Sequence, residues 1–286
     1  MTPSKSDREV ALIVVEYGSG HVDAELARLL RGPLASPGRR VEHVRTDIAP
    51  SRCLATPNEA YEFSGYQEGL MRLLADSKWT EDPLTSRVVI FVNDTIATSH
   101  ARPLSSFVLD RLSQLDMTRV ATPALVGLST RLSGPVGSAT GGMGYASTYA
   151  FALIGTVEDL RRVRFYGPDE VAARFAERVL PRLAPDYVET VRTWLEPVHP
   201  LMGWHNAVPG RELDPLTRSR KQLAIYLEHT MPRRLREVGF EFSDLGQLLT
   251  PPQRLRLAAL RHVDRMAINM LKLRTRLPTM LGWDRS

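Results

Sequence analysis

The segment RVVIFVNDT, residues 87–95, constrains the fold of this chain more than any other stretch. Its unbroken run of β-branched and aromatic residues is typical of a strand that is buried on both faces of an α/β sheet. The run ends abruptly at Asn93, Asp94 and Thr95. Because ligands bind beyond the carboxyl ends of the strands in such sheets, Asp94 is a candidate ligand for a metal ion or a sugar hydroxyl. The alternative is that Asp94 only caps the following turn.

Two segments near the N-terminus predict the start of a nucleotide-binding sheet. Residues 11–17 read ALIVVEY, a second buried-strand pattern, and the glycine turn GSG and a predicted helix over 23–34 follow. The next run, RRVEHVRTD, predicts a half-buried strand that ends at Asp47. A glycine turn after the first strand and an acid after the second are typical of sheets that bind nucleotides.

The composition excludes several classes of protein. The one cysteine, Cys53, rules out an intramolecular disulfide and a cysteine-based metal cluster, and it suits a reducing compartment. The N-terminal segment MTPSKSDREV has no apolar core of signal-peptide length, and no long apolar run follows it, so we expect a cytoplasmic protein without a transmembrane span. The formal charge of +5 comes without interleaved aromatic and basic residues, which predicts no nucleic-acid partner.

The middle of the chain continues the alternation of helices and strands. An amphipathic helix is predicted over 103–115 and a strand over 124–128. Residues 134–144 contain five glycines, which predicts a mobile lid or an acceptor-binding loop. A further strand, AFALIG, follows this loop, and helices are predicted over 168–180 and 185–195.

The segment PNEAYEFSGYQEGL carries an acidic and aromatic patch that precedes a helix predicted to follow Ser64. Together with the strand that ends in Asn-Asp-Thr, it resembles bacterial cell-surface polysaccharide glycosyltransferases of the GT-A kind, including the rhamnan-synthesis type. The resemblance covers roughly residues 11–155. It implies an α/β fold with a GT-A-like, Rossmann-type mixed sheet flanked by helices. The catalytic domain is expected over 1–245, with a helical extension over 246–286.

The resemblance implies a role for the polar residues near the strand ends. Asp94 is expected to meet the donor diphosphate, directly or through a divalent cation, Mg²⁺ or Mn²⁺. Many GT-A enzymes have Asp-x-Asp here, whereas this chain has one carboxylate, so diphosphate oxygens and water would complete the ligands of the ion. The residues expected to contact the nucleotide-sugar donor are Tyr17, Gly18, Asp47, Asn93, Thr95, Tyr145 and Ser147.

Glu228 is the candidate general base. It follows the apolar run LAIYL, and an isolated acid at such a place can deprotonate an acceptor hydroxyl if its pKa lies near the working pH. A further helix is predicted to open at Pro232. The alternative for Glu228 is a structural salt bridge with Arg233 or Arg234.

Residues 251–281 predict one long basic amphipathic helix. Its apolar residues recur at spacings of four and three from Ala259 to Leu277, and Asp264 is its one acid beside a separate stripe of Arg and Lys. Such a helix can lie on an anionic membrane surface, which would hold a cytoplasmic enzyme at the inner face of the membrane beside a lipid-linked acceptor. The alternative is packing against the domain or against a second subunit of a homo-oligomer.

Two other functions fit parts of the sequence. The segment VVEYGSGH also suits a class I methyltransferase, in which Glu16, Gly18 and Gly20 approach S-adenosylmethionine and Asp47 holds the ribose. The single carboxylate after the central strand suits a non-catalytic adaptor that keeps a transferase-like sheet and binds partners through the basic helix.

Overall fold

The computed structural model describes residues 9–16, 24, 27–28, 31, 40–47, 59–97, 102–120, 122–130, 145–196 and 213–280. The strands are β1 (Glu9–Glu16), β2 (Arg40–Asp47), β3 (Arg87–Asn93), β4 (Ala124–Thr130), β5 (Tyr145–Gly155) and β6 (Glu241–Asp244). The helices whose full bounds lie within these ranges are α1 (Glu62–Ala75), α2 (Ser77–Thr80), α3 (Arg102–Ser113), α4 (Val157–Arg161), α5 (Ala172–Arg178), α6 (Pro185–Leu195), α7 (Pro215–Glu237), α8 (Leu245–Leu248) and α9 (Pro251–Met280). Short 3₁₀ turns cover Asp94–Ala97, Met117–Arg119 and Leu180–Arg182.

The six strands form one mixed sheet in the order β2-β1-β3-β5-β4-β6. β1 runs parallel to β2 and β3, β4 runs parallel to β6, and β5 is antiparallel to both of its neighbours. The chain therefore leaves β1 for β2 on one side and returns to β3 on the other. A reversal of this kind opens a crevice at the carboxyl ends of the two central strands, here β1 and β3. The predicted α/β mixed sheet flanked by helices is confirmed.

The central strands are buried on both faces, as their sequences predict. Every residue of β3 is buried. Val89 and Phe91 point into a core under α1 and α7, whereas Val88, Ile90 and Val92 point into a second core under α3. An apolar run without alternation is what a strand covered on both sides requires.

Aromatic rings hold α1 on the first of these cores. The rings of Phe91 and Phe151 stack with centroids 4.9 Å apart, and Tyr66 meets both edge-on at 5.5 and 5.4 Å. Gly65 lies directly over β1, where an added Cβ would come within 2.5 Å of a methyl group of Val15. The absence of a side chain at this position therefore sets the distance between α1 and the sheet.

Several helix boundaries differ from the sequence prediction, and two of the differences concern residues near the candidate site. α1 begins at Glu62, so Glu62 and Gly65 lie on the helix and not in the loop before it. Pro232 lies inside α7 and opens no new helix. The helix continues because Leu227, Met231 and Leu235 keep one apolar face in the core, and this burial outweighs the amide hydrogen that a proline lacks.

The long C-terminal helix is confirmed as α9. It packs on α3, and Leu257 reaches the second core. Within the described part of the chain, no helix combines the length and the apolar character that crossing a bilayer needs. The division of the chain near residue 245 stays a prediction.

We predict that Gly65→Ala lowers the free energy of unfolding by about 1–3 kcal/mol, although alanine favours helices, because the new methyl group meets Val15. The measurement is urea denaturation of the two single variants and of the double variant with Val15→Ala. The same Gly65→Ala change is expected to cost much less in the Val15→Ala background, where the two methyl groups in its way are gone. An equal cost in both backgrounds would show that this contact does not set the spacing.

Candidate functional site

The carboxyl ends of β1 and β3 each present an acid. Glu16 ends β1 and is fully buried in an ion pair with Arg45 of β2. Its Oε1 has no hydrogen-bond partner among the residues that the structure describes. Asp94 follows β3 and opens the 3₁₀ turn Asp94–Ala97. The switch point of the sheet therefore lies between two carboxylates.

The turn after β3 is closed by the side chain of Asn93. Its Oδ1 accepts a hydrogen bond from the backbone N–H of Thr95 at 3.2 Å. This is the local bond by which Asn and Asp stabilise turns. Asn93 therefore stabilises the turn that Asp94 opens. Asp94 is half-buried at this place.

Glu62 adds a third acid from the first turn of α1. Burial raises the pKa of its carboxyl above the ordinary 4.5, Lys221 acts in the opposite direction, and the charge of Asp94 raises it further. The Oε2 atom of Glu62 is buried without a hydrogen-bond partner among the described residues. A buried carboxylate oxygen without a donor can accept a proton or a cation.

Tyr66, one turn beyond Glu62, connects these acids with the candidate base. Burial raises the pKa of its phenol well above the ordinary value, and the charges of Glu62, Asp94 and Glu228 each raise it further. The phenol of Tyr66 is thus within electrostatic range of carboxylates on α1, at the end of β3 and on α7. The fold therefore places Asp94 and Glu228, which lie far apart in the sequence, within electrostatic range of one hydroxyl.

A cation and a strained residue complete the rim of the site. The ammonium group of Lys221 lies 3.8 Å from the ring centroid of Tyr61, which is a cation–π contact. Tyr61 has φ 56° and ψ −137°, a left-handed conformation that an aromatic residue adopts at a cost of about 1–3 kcal/mol. Such strain is concentrated at functional sites, because the surrounding structure must hold it.

Glu228 lies among buried polar groups of α6 and α7. Next to it, burial lowers the pKa of His229 to about 4, so the imidazole is neutral near pH 7. Its Nδ1 lies 3.2 Å from the hydroxyl of Tyr187. Arg234, offered by the sequence as a salt-bridge partner of Glu228, forms a two-point ion pair with Glu170.

The other predicted site residues lie at the same edge of the sheet where their backbone is described. Asp47 ends β2 in register with Glu16. Because β5 is antiparallel, its first residues, which include Tyr145 and Ser147, also lie at this edge. The side chains of these three residues, and all of Tyr17, Gly18 and Gly20, are outside the described residues.

Sequence reasoning missed Tyr66 and Lys221 as members of the site. The signal was present as helical spacing: Tyr66 follows Glu62 by four residues on α1, and Lys221 precedes Glu228 by seven on α7. Residues four or seven apart share one face of a helix. Once both segments are assigned to helices, this spacing predicts a helix face that carries an acid and a second polar group.

Within the described ranges, no group of three or more His, Cys, Asp and Glu side chains is arranged to hold a metal ion. Glu62 and Asp94 could supply two oxygens, with ligand oxygens and water as the rest, which suits Mg²⁺ or Mn²⁺. The Oε2 atom of Glu62, which lacks a donor, fits this use.

No protein-family model, curated protein or solved structure matches this chain. The interpretation of the site therefore depends on its own residues and on the topology of the sheet.

We predict that Glu62→Gln stabilises the folded protein at about pH 8 and much less at about pH 4. Because the pKa of Glu62 is raised in the folded state, the folded protein binds its proton more tightly than the unfolded chain does. The free energy of unfolding of the wild type consequently falls as the pH rises above 4.5, and glutamine removes this loss. The measurement is the melting temperature of wild type and variant at both pH values.

The matched control is Glu81→Gln, at an exposed position, which should leave the pH dependence unchanged. If Glu62→Gln lowered the melting temperature equally at both pH values, the carboxylate would be part of a stabilising bond, and its burial would not oppose folding.

Proposed function

We propose that this protein is a glycosyltransferase that moves a sugar from a nucleotide-sugar donor to a saccharide or lipid-linked acceptor in cell-surface polysaccharide synthesis. The observation that carries the proposal is the position of Asp94 at the switch point between β1 and β3, with Glu228 acting on the same tyrosine hydroxyl. In this proposal one acid serves the donor diphosphate and a second serves the acceptor, and both lie within electrostatic range of Tyr66.

The charges of the crevice support a donor that binds together with a divalent cation. Glu62, Asp94 and Glu228 would repel a bare diphosphate, since like charges at close range in a half-buried site oppose each other strongly. Asp94 and Glu62 would hold Mg²⁺ or Mn²⁺, which neutralises charge on the departing diphosphate when it is bound. Lys221 supplies a fixed positive charge at the same rim.

Glu228 is suited to the acceptor side of the reaction. The acceptor oxygen forms a bond to the anomeric carbon, the bond from that carbon to the diphosphate oxygen breaks, and the proton of the acceptor hydroxyl passes to the carboxylate of Glu228. Nearby, the neutral imidazole of His229 lies within hydrogen-bond distance of the Tyr187 hydroxyl, and the charge of Glu228 adds to the burial that raises the pKa of this phenol.

The nucleotide residues expected from the resemblance, Tyr17, Gly18 and Asp47, stay predictions, as do Tyr145 and Ser147. The proposal requires the nucleoside to lie over the carboxyl ends of β1 and β2. Asp47, the last residue of β2, lies at this edge. Asn93 has a bond within the turn, so its part in this proposal is to position Asp94.

The first test of the proposal is a ligand screen by thermal shift. UDP-, dTDP- and GDP-sugars are compared with S-adenosylmethionine, each with and without Mn²⁺. We expect one nucleotide sugar to raise the melting temperature in the presence of Mn²⁺, and Asp94→Asn to lose most of this shift. Asp169→Asn, at an exposed position before α5, is the matched control and should keep it.

Two outcomes of the screen would replace the proposal. Stabilisation by S-adenosylmethionine alone would favour the methyltransferase, in which Glu16 approaches the cofactor. Donor binding that Asp94→Asn leaves unchanged, together with no turnover, would favour the non-catalytic adaptor.

We further predict that Glu228→Gln lowers kcat by about 10²–10⁴-fold with little change in donor KM, because only proton transfer is lost. The measurement is steady-state release of nucleoside diphosphate in the presence of acceptor. Glu237→Gln, an exposed acid on the same helix, is the control and should leave kcat unchanged. A normal kcat for Glu228→Gln would remove the base from this mechanism without affecting the donor site.

A further inference from the structure

α9 buries one face and exposes the opposite one. Leu257 and Asp264 lie on the buried face, with 4% and 8% of their surface exposed. On the other side, Val263, Met266 and Met270 expose 55%, 55% and 69% of theirs. Exposed apolar residues are ordinary when they are scattered, but a continuous row of them indicates a binding surface.

We call the row formed by Val263, Met266, Met270 and Leu277 the outer stripe. They follow one another at spacings of three, four and seven residues, so they share one line along the helix. Leu277 exposes 42% of its surface. Among the described residues no other element packs over Val263, Met266 or Met270 closely enough to bury them.

Positive charges border the outer stripe. Arg256 and Arg274 lie on one side of it and Arg265 on the other, and all three are exposed. The one acid of α9, Asp264, belongs to the buried face. Arg256 rests on the ring of Phe107 of α3, 5.4 Å from its centroid, which holds one border of the stripe in place.

We infer that the outer stripe docks α9 on an anionic phospholipid surface. The methionine, valine and leucine side chains enter the boundary between head groups and acyl chains, and the bordering arginines meet lipid phosphates. A second copy of this chain fits less well, because two such stripes would bring arginines together without an acid on either face. Docking of this kind goes beyond sugar transfer and does not depend on it.

The test is flotation of the full chain with vesicles of pure phosphatidylcholine and with vesicles that contain a third of phosphatidylglycerol. Binding to the anionic vesicles is expected, and Arg265→Gln with Arg274→Gln should lower the partition coefficient by about 30-fold, roughly fivefold for each lost charge. Met266→Gln with Met270→Gln, which removes apolar contact without adding charge, should lower it by about 100-fold.

Matched controls carry the same changes elsewhere. Arg178→Gln with Arg182→Gln, and Met71→Gln with Leu216→Gln, alter exposed residues outside α9 and should leave flotation unchanged. Unchanged melting temperatures would show that all variants fold.

Three outcomes would overturn the inference. One is an absence of flotation, and another is equal flotation with neutral and anionic vesicles. The third is a dimer in sedimentation equilibrium that Met266→Gln with Met270→Gln dissociates, which would assign the stripe to a second copy. None of these results bears on donor binding, so the transferase proposal is tested separately.

Discussion

The contact between Gly65 of α1 and Val15 of β1 determines where the acids of the candidate site lie. It lets the helix approach the sheet so closely that Tyr66 reaches Phe91 and Phe151 in the core. With the helix fixed there, its first turn holds Glu62 near the end of β3, within the electrostatic reach of Asp94. A helix held farther from the sheet would separate these charges, and the crevice would lose its acidic character.

The packing of the helices on the sheet also provides the free energy that offsets the destabilising groups of the candidate site. The strained backbone of Tyr61, the buried carboxyl of Glu62 and the neutral imidazole of His229 each oppose folding. The aromatic cluster of the core and the fully buried central strands offset them. Groups that reduce stability and are nevertheless retained in a fold are typical of sites that bind or react.

Apolar patterning allowed the central part of this fold to be predicted, because a strand covered on both faces leaves a continuous run, as in β3. It failed at Pro232, where the burial of Met231 and Leu235 overrides a residue that usually ends a helix. The sequence also indicated the isolated acids Asp94 and Glu228 as candidate site residues. Their common electrostatic effect on Tyr66 was not predicted, because it depends on the order of strands and on the position of α7, which local sequence does not encode.

The position of α9 determines where the outer stripe lies relative to the acids of the candidate site. Arg261 donates to the backbone carbonyl of Ser129 at 3.2 Å, and Ser129 lies near the carboxyl end of β4, which points the same way as β1 and β3. The outer stripe begins at residue 263, directly after this contact. α9 covers the second core, whereas α1 and α7, which carry Glu62 and Glu228, cover the first, so the outer stripe and these two acids lie on opposite faces of the sheet. A molecule held by a surface at the stripe would therefore have to pass the edge of the sheet, where Asp94 lies, to reach Glu228.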